Sequence, residues 1–153
     1  IALPREASIY FMPERPYLPV GTLAEAVCYH GLADCPDEAI ARALQQVGLG
    51  RLAARLDEIA VWERELGASD QQRLGFARLL LHRPDWIVMQ EPTDALDSDG
   101  EHEMMTLLQE AFPQATVVTI SQRPVMRRYH QRHLTLQRRD GWAVVTESRP
   151  GGR

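Results

Sequence analysis

Apolar and polar positions along the chain follow two alternating periods. "ASIYFM" (Ala7–Met12) is a short β-rich run ended by Pro13, and it predicts a buried strand. "PERPYLPVG", with Pro13, Pro16 and Pro19, predicts a stiff extended loop. The spacing then turns helical. Thr22 and Glu25 stand in capping-box register, so a helix starts at Thr22. "PDEAIARALQQVGLG" places Pro36 in a first turn, acids behind it and Gly48 as a stop. "RLAARLD" predicts a third, short helix. This stretch, about 22–58, has its own apolar face and predicts a helical subdomain, which reaches about 82 with the next helix included. That helix runs from Asp70 to about His82, with Ser69 as its cap and Gln72 in the capping-box position.

The second half reads more simply. "RPDWIVMQE" is a turn into a strand, Trp86–Met89, continuously apolar as buried parallel strands are. Ser98 and Glu101 make a capping box for a helix through about Ala111. "ATVVTIS" predicts another buried strand. "HLTLQRRDGWAVVTE" predicts a hairpin around Asp140-Gly141. Residues 148–153, "SRPGGR", are expected to be a disordered tail, leaving one domain over 1–147. Strands alternating with helices define an α/β layered fold. Ligands on such sheets gather beyond the C-terminal strand ends, where "PERPY", "QEPTDALD" and "SQRP" fall. Those three loops are predicted to converge.

Composition narrows the chemistry. The 153 residues are 44% hydrophobic and 25% charged, ordinary for a globular domain. No apolar run approaches the roughly 18 residues that span a bilayer. The start, "IALPREASIY", has neither an initiator Met nor a signal pattern, and reads as cut from something longer. Cys28, His30 and Cys35 lie together in "CYHGLADC"; two reduced thiols are expected there rather than a structural zinc. All 17 basic residues are Arg. Without Lys the chain supports neither Schiff-base chemistry nor a phosphate-binding loop of the G-x-x-x-x-G-K-[ST] type. Residues 1–120 hold nine Arg against nineteen acids, and residues 121–153 hold eight Arg against two. In "QRPVMRRYHQRHLTLQRR" the apolar residues alternate as in a strand, so a solvated sheet edge is expected in preference to a nucleic-acid surface.

The three loops, with "LGASDQQRLGFARLLLHRP", resemble the ATP-binding domain of ABC transporters downstream of its phosphate-binding loop. The likeness runs from about Ser8 to about Val145. It is strongest to the half-transporters that include the peroxisomal fatty-acyl carriers and their bacterial relatives: "PERPYLPVGTL" matches their Q-loop, Trp62 a Trp before the signature, and "QRPVMRRYH" and "DGW" their later motifs. The resemblance implies a partial P-loop NTPase-type sheet with a helical subdomain insert. It implies ATP and Mg²⁺ as cofactors once a phosphate-binding loop is present. It also implies a transmembrane domain and a second nucleotide-binding domain as partners, without nucleic acid, at the cytoplasmic face of a membrane such as the bacterial inner membrane. Sheet edges and apolar surface are expected to stay uncovered without the strands that precede this region in the family.

Several matched positions depart from the family pattern. The signature Leu-Ser-Gly-Gly-Glu/Gln-Gln is Leu66-Gly67-Ala68-Ser69-Asp70-Gln71-Gln72. Its Ser becomes Gly67 and its glycines become Ala68 and Ser69; Ser69 either supplies a displaced hydroxyl or only caps the helix. The Asp-Glu that ends the metal-binding strand is Gln90-Glu91. The amide of Gln90 is a weak partner for a hard cation, while Glu91 is either the base that polarises water or a solvated strand end. The Q-loop Gln is Glu14, either an added Mg²⁺ ligand or an idle carboxylate. The D-loop is Asp94-Ala95-Leu96-Asp97, with Asp97 kept. The switch His aligns with Gln122, which donates a hydrogen bond but carries no charge. Phosphoryl transfer depends on charge stabilisation from all these groups, and each lost contact costs roughly 3–4 kcal/mol in the transition state. The expected function is thus a nucleotide-binding domain fragment of an ABC half-transporter with degenerate catalytic motifs. The alternative is an inactive ABC-type domain serving dimerisation or regulation.

Overall fold

The computed structural model describes residues 7–29, 35–139 and 141–148. The chain forms two compact units, 1–120 and 121–153.

In the first unit three parallel strands form the sheet: β1 (Ile9–Met12), β4 (Trp86–Gln90) and β5 (Thr116–Ile120), with β4 in the middle. The sequence marks each strand to within about two residues. Between β1 and β4 lie β2 (Gly21–Thr22), α1 (Leu23–Val27), α2 (Asp37–Gln46), a 3₁₀ turn (Gly50–Arg55), β3 (Ile59–Ala60), α3 (Trp62–Glu65) and α4 (Ala68–His82). The Thr22 capping box forms as predicted: Glu25 N–H donates to the Thr22 hydroxyl, and the Thr22 N–H to the Glu25 carboxylate. Gly48, at φ +77°, closes α2. Leu49 N–H reaches Leu44 O at 2.7 Å and Gly48 N–H reaches Gln45 O at 3.1 Å, a Schellman pair. Trp62 is fully buried, and its indole N–H donates to Gly21 O at 3.0 Å, tying α3 to the β2 strand.

Both predicted caps downstream are corrected. Ser69 lies inside the first turn of α4, which Gly67 begins with no side-chain cap. At α5 (Ser98–Ala111) the cap is Asp97, whose carboxylate accepts from Gly100 N–H at 2.8 Å. Glu101 is buried instead and takes the Thr93 hydroxyl at 3.3 Å. In both cases a capping-box residue finds a better tertiary partner than the helix end.

The sheet is covered on one face. Met12, Ile87 and Met89 are buried on the side of α4, where Gly75 lets the helix approach the Met12 side chain. Residues paired across the other face include Phe11, Val88 and Val118, then Gln90 and Ile120. There Phe11 is 69% exposed and Ile120 60%. The continuous apolar run of β4 suits a strand covered on both sides; here its burial alternates, since among the described residues the face bearing Phe11, Val118 and Ile120 stays exposed.

The second unit holds a 3₁₀ turn (Pro124–Tyr129) and the hairpin β6 (His133–Arg139) and β7 (Trp142–Ser148). The expected strand alternation through the basic stretch fails at the 3₁₀ turn, which Pro124 opens, and holds only from His133 on. Asp140 and residues 149–153 of the expected tail lie outside the described residues, whereas Ser148 ends β7.

Candidate functional site

Parallel pairing puts the C-terminal ends of β1, β4 and β5 at one edge of the sheet. Glu14 follows β1 and Glu91 follows β4. Their backbones are drawn together by Gln72, whose side-chain amide donates to Glu14 O at 3.3 Å and to Glu91 O at 3.2 Å. Glu91 has φ +40°, a left-handed conformation unusual for a residue with a side chain. Such a residue stores of order 1–3 kcal/mol and persists only where its surroundings fix it. Its N–H donates to Ile120 O at 2.9 Å, and its carbonyl also accepts from Asp94 N–H at 3.3 Å. Glu14 and Glu91 are both half-buried, Gln90 is exposed.

The start of α4 forms a second feature. Gly67 caps it without a side chain, and the first helical bond runs from Gln71 N–H to Gly67 O at 3.0 Å. The N–H groups of Ala68, Ser69 and Asp70 thus have no partner within the helix. A Cβ on Gly67 would meet nothing within 4 Å, so the approach is open. Two contacts brace the turn. Gln71 donates to Glu63 O at 2.9 Å and Leu66 O at 2.8 Å, and Asp70 pairs with Arg51. Gln71 and Asp70 therefore fix the helix start. Asp97 is likewise a helix cap, and Gln122 is an exposed residue of the second unit.

Sequence reading gave Gln72 only a capping place and did not single out Arg78. Gln72 is buried and joins two loops, after β1 and after β4, at three backbone atoms, which no local pattern reveals. Arg78 is 3% exposed, donating to Ala26 O and to Tyr17 O at 2.8 Å, with Tyr29 stacked at 5.4 Å. Burial pulls its guanidinium below the usual arginine range, opposed mainly by Tyr10. Arg78, Tyr10, Tyr17, Tyr29 and His82 line much of a cavity of ≈ 680 Å³ beside β1. Cys28 and Cys35 are free thiols; burial and the neighbouring Cys35 push Cys28 up to about 12, so it stays protonated.

The fit to MgATP is partial. An exposed helix start with open amides suits phosphate. Among the described residues, however, no three His, Cys, Asp or Glu side chains group to hold a metal ion, and the chain has no Lys. No helix among the described residues is long and apolar enough to cross a membrane.

The fold is similar to that of a bacterial Atm1-family ABC exporter with ATP bound, which superposes with a TM-score of 0.73 over 83% of this chain and 23% of that one. At 19% identity that likeness concerns the fold. In sequence, an uncharacterized ABC transporter ATP-binding protein of Haemophilus influenzae is 38% identical over 136 residues, 88% of this chain and 23% of its own. The mouse lysosomal cobalamin transporter ABCD4 is 33% identical over 90% of this chain and 24% of its own, and ABC transporter D family member 1 of Arabidopsis thaliana 32% over 89% and 10%. No family model matches. The chain belongs to the ABC transporter ATP-binding family, and its relatives include D-family members. It spans about a quarter or less of the length of these curated relatives.

Proposed function

We propose that these residues are the signature-bearing part of a nucleotide-binding domain in an ABC half-transporter, with weakened hydrolysis. The observation that carries this is the open start of α4, where Gly67 leaves backbone amides facing outward at a helix N-terminus. In this reading α4 meets the terminal phosphate of an ATP cradled by the phosphate-binding loop of a second domain. Glu91 then orients the attacking water, and its fixed backbone supports that task. The uncovered face bearing Phe11, Val118 and Ile120 supports further polypeptide packing on the sheet. The cavity between β1 and the helical region supports a contact with a transmembrane portion.

Gln90 favours the second reading, an inactive domain that keeps the fold for dimerisation, because a neutral amide stands where the family's metal carboxylate belongs. Steady-state turnover of MgATP by the full-length protein separates the two. Slow turnover abolished by Glu91→Gln supports a working base. Turnover indifferent to Glu91→Gln removes that assignment, and Mg²⁺-independent binding without turnover leaves the inactive domain.

A further inference from the structure

Gln72 is the most heavily used polar side chain of the site edge, and the family resemblance gives it no task beyond its place in the signature. It is 3% exposed, and its amide makes three hydrogen bonds. The nitrogen donates to Glu14 O and Glu91 O, and the oxygen accepts from Ala95 N–H at 2.9 Å. These partners lie 58, 19 and 23 residues away. They belong to two loops: the one after β1, and the β4–α5 loop, which is held both at Glu91 and in its Asp94–Asp97 turn. Gln72 sits about one turn along α4 from the exposed helix start at Gly67.

We infer that Gln72 is a positioning residue that locks these two loops to α4 at three points, so that any displacement of the helix start reaches Glu91, Glu14 and the Asp94–Asp97 turn together. The chemistry favours such a role. A buried amide whose donors and acceptor are all engaged holds its partners at fixed separations, and leaving any partner unpaired is costly. One of the partners is the carbonyl of the left-handed Glu91. The orientation of that residue depends on its backbone being held, and the Gln72 bond is one of the contacts that hold it. A second signal for the helix start and the carboxylate loop to communicate is not needed, because one side chain touches both segments of the path. The consequence for phosphoryl transfer rests on the function proposed above; the mechanical coupling does not.

The test compares Gln72→Glu and Gln72→Met in the full-length protein by hydrogen exchange, alongside melting temperature and turnover. Glu is isosteric and keeps an acceptor for Ala95 N–H, but cannot donate to both carbonyls. Met keeps the bulk and loses every bond. The Ala95 amide is expected to exchange about tenfold faster in Gln72→Met and to stay near the wild-type rate in Gln72→Glu. Amides of Glu14, Arg15, Thr93 and Asp94 are expected to quicken in both variants, while Leu74–Leu79 in the core of α4 stay protected. If Gln72→Met fails to fold, Gln72→Glu alone decides: the amides of Glu14, Arg15, Thr93 and Asp94 must loosen while that of Ala95 does not. Unchanged exchange in those loops, or loosening spread evenly through α4, overturns the proposal whatever the enzyme does. Where the wild type turns over ATP, kcat per bound nucleotide is expected to fall about tenfold in Gln72→Glu with KM little changed. Loss of active sites at constant kcat would mark a merely structural role and overturn the positioning. A wild type that binds ATP without turnover would sink the proposed hydrolysis, and the exchange pattern would still decide the coupling.

Discussion

Replacing Arg78 with Met tests how the helical region is fastened to the sheet. Arg78 projects from α4 and donates to Ala26 O at the end of α1 and to Tyr17 O in the loop after β1, and no ion pair forms with it among the described residues. Methionine fills similar space and removes the donors. Two carbonyl groups then lose their partner, at about 1–3 kcal/mol each. Removing a buried charge returns part of this, because the guanidinium no longer has to be desolvated. The net loss should be about 3 kcal/mol. At about 2–4 °C per kcal/mol for a chain of this size, melting should fall by about 6–12 °C. Arg78→Lys keeps the charge but cannot bridge both carbonyls with a planar fork, so it should fall between. Calorimetry with parallel urea titration measures both. A melting temperature for Arg78→Met within about 2 °C of wild type would mean that those carbonyls find other partners, and the fastening role would be wrong.

Two further outcomes follow from single positions. Gly48→Ala should cost about 1–2 kcal/mol in urea unfolding, since φ +77° is strained for alanine and the new Cβ would lie 2.9 Å from the Arg73 guanidinium; no loss would deny the Schellman closure of α2. In the second unit, burial and then His133 hold His130 below the ordinary histidine range. The unfolded chain therefore binds the proton more readily. This contribution is complete above about pH 6.5, the ordinary value, and is lost as pH falls through the lower folded value. An NMR titration of His130 at or above the ordinary midpoint would refute this.

Local chemistry was legible where it was locally satisfied. Thr22 and Glu25 lie three residues apart and bond each other, so their spacing alone predicted the cap. Ser69 and Gln72 have the same spacing, yet Gln72 turns inward to carbonyls in other loops, and Gly67 opens the helix. The parallel strands were legible from composition, but the uncovered face of β4 was not readable from its own residues, because apolarity does not say which layer is present. At the site, residue types located Glu14 and Glu91 on convergent loops. The left-handed backbone of Glu91 and the Gln72 bonds that join these loops are tertiary, and no residue type announces them.

The open helix start is tested most directly by ATP affinity of the full-length protein carrying Gly67→Glu. The new side chain enters open space, with nothing within 4 Å of its Cβ, so melting should be unchanged. A carboxylate at the phosphate-facing end of α4 should weaken ATP binding about tenfold or more by charge repulsion. Unchanged affinity in a protein of unchanged stability would mean that α4 does not face the nucleotide, and the proposed function would fall with it.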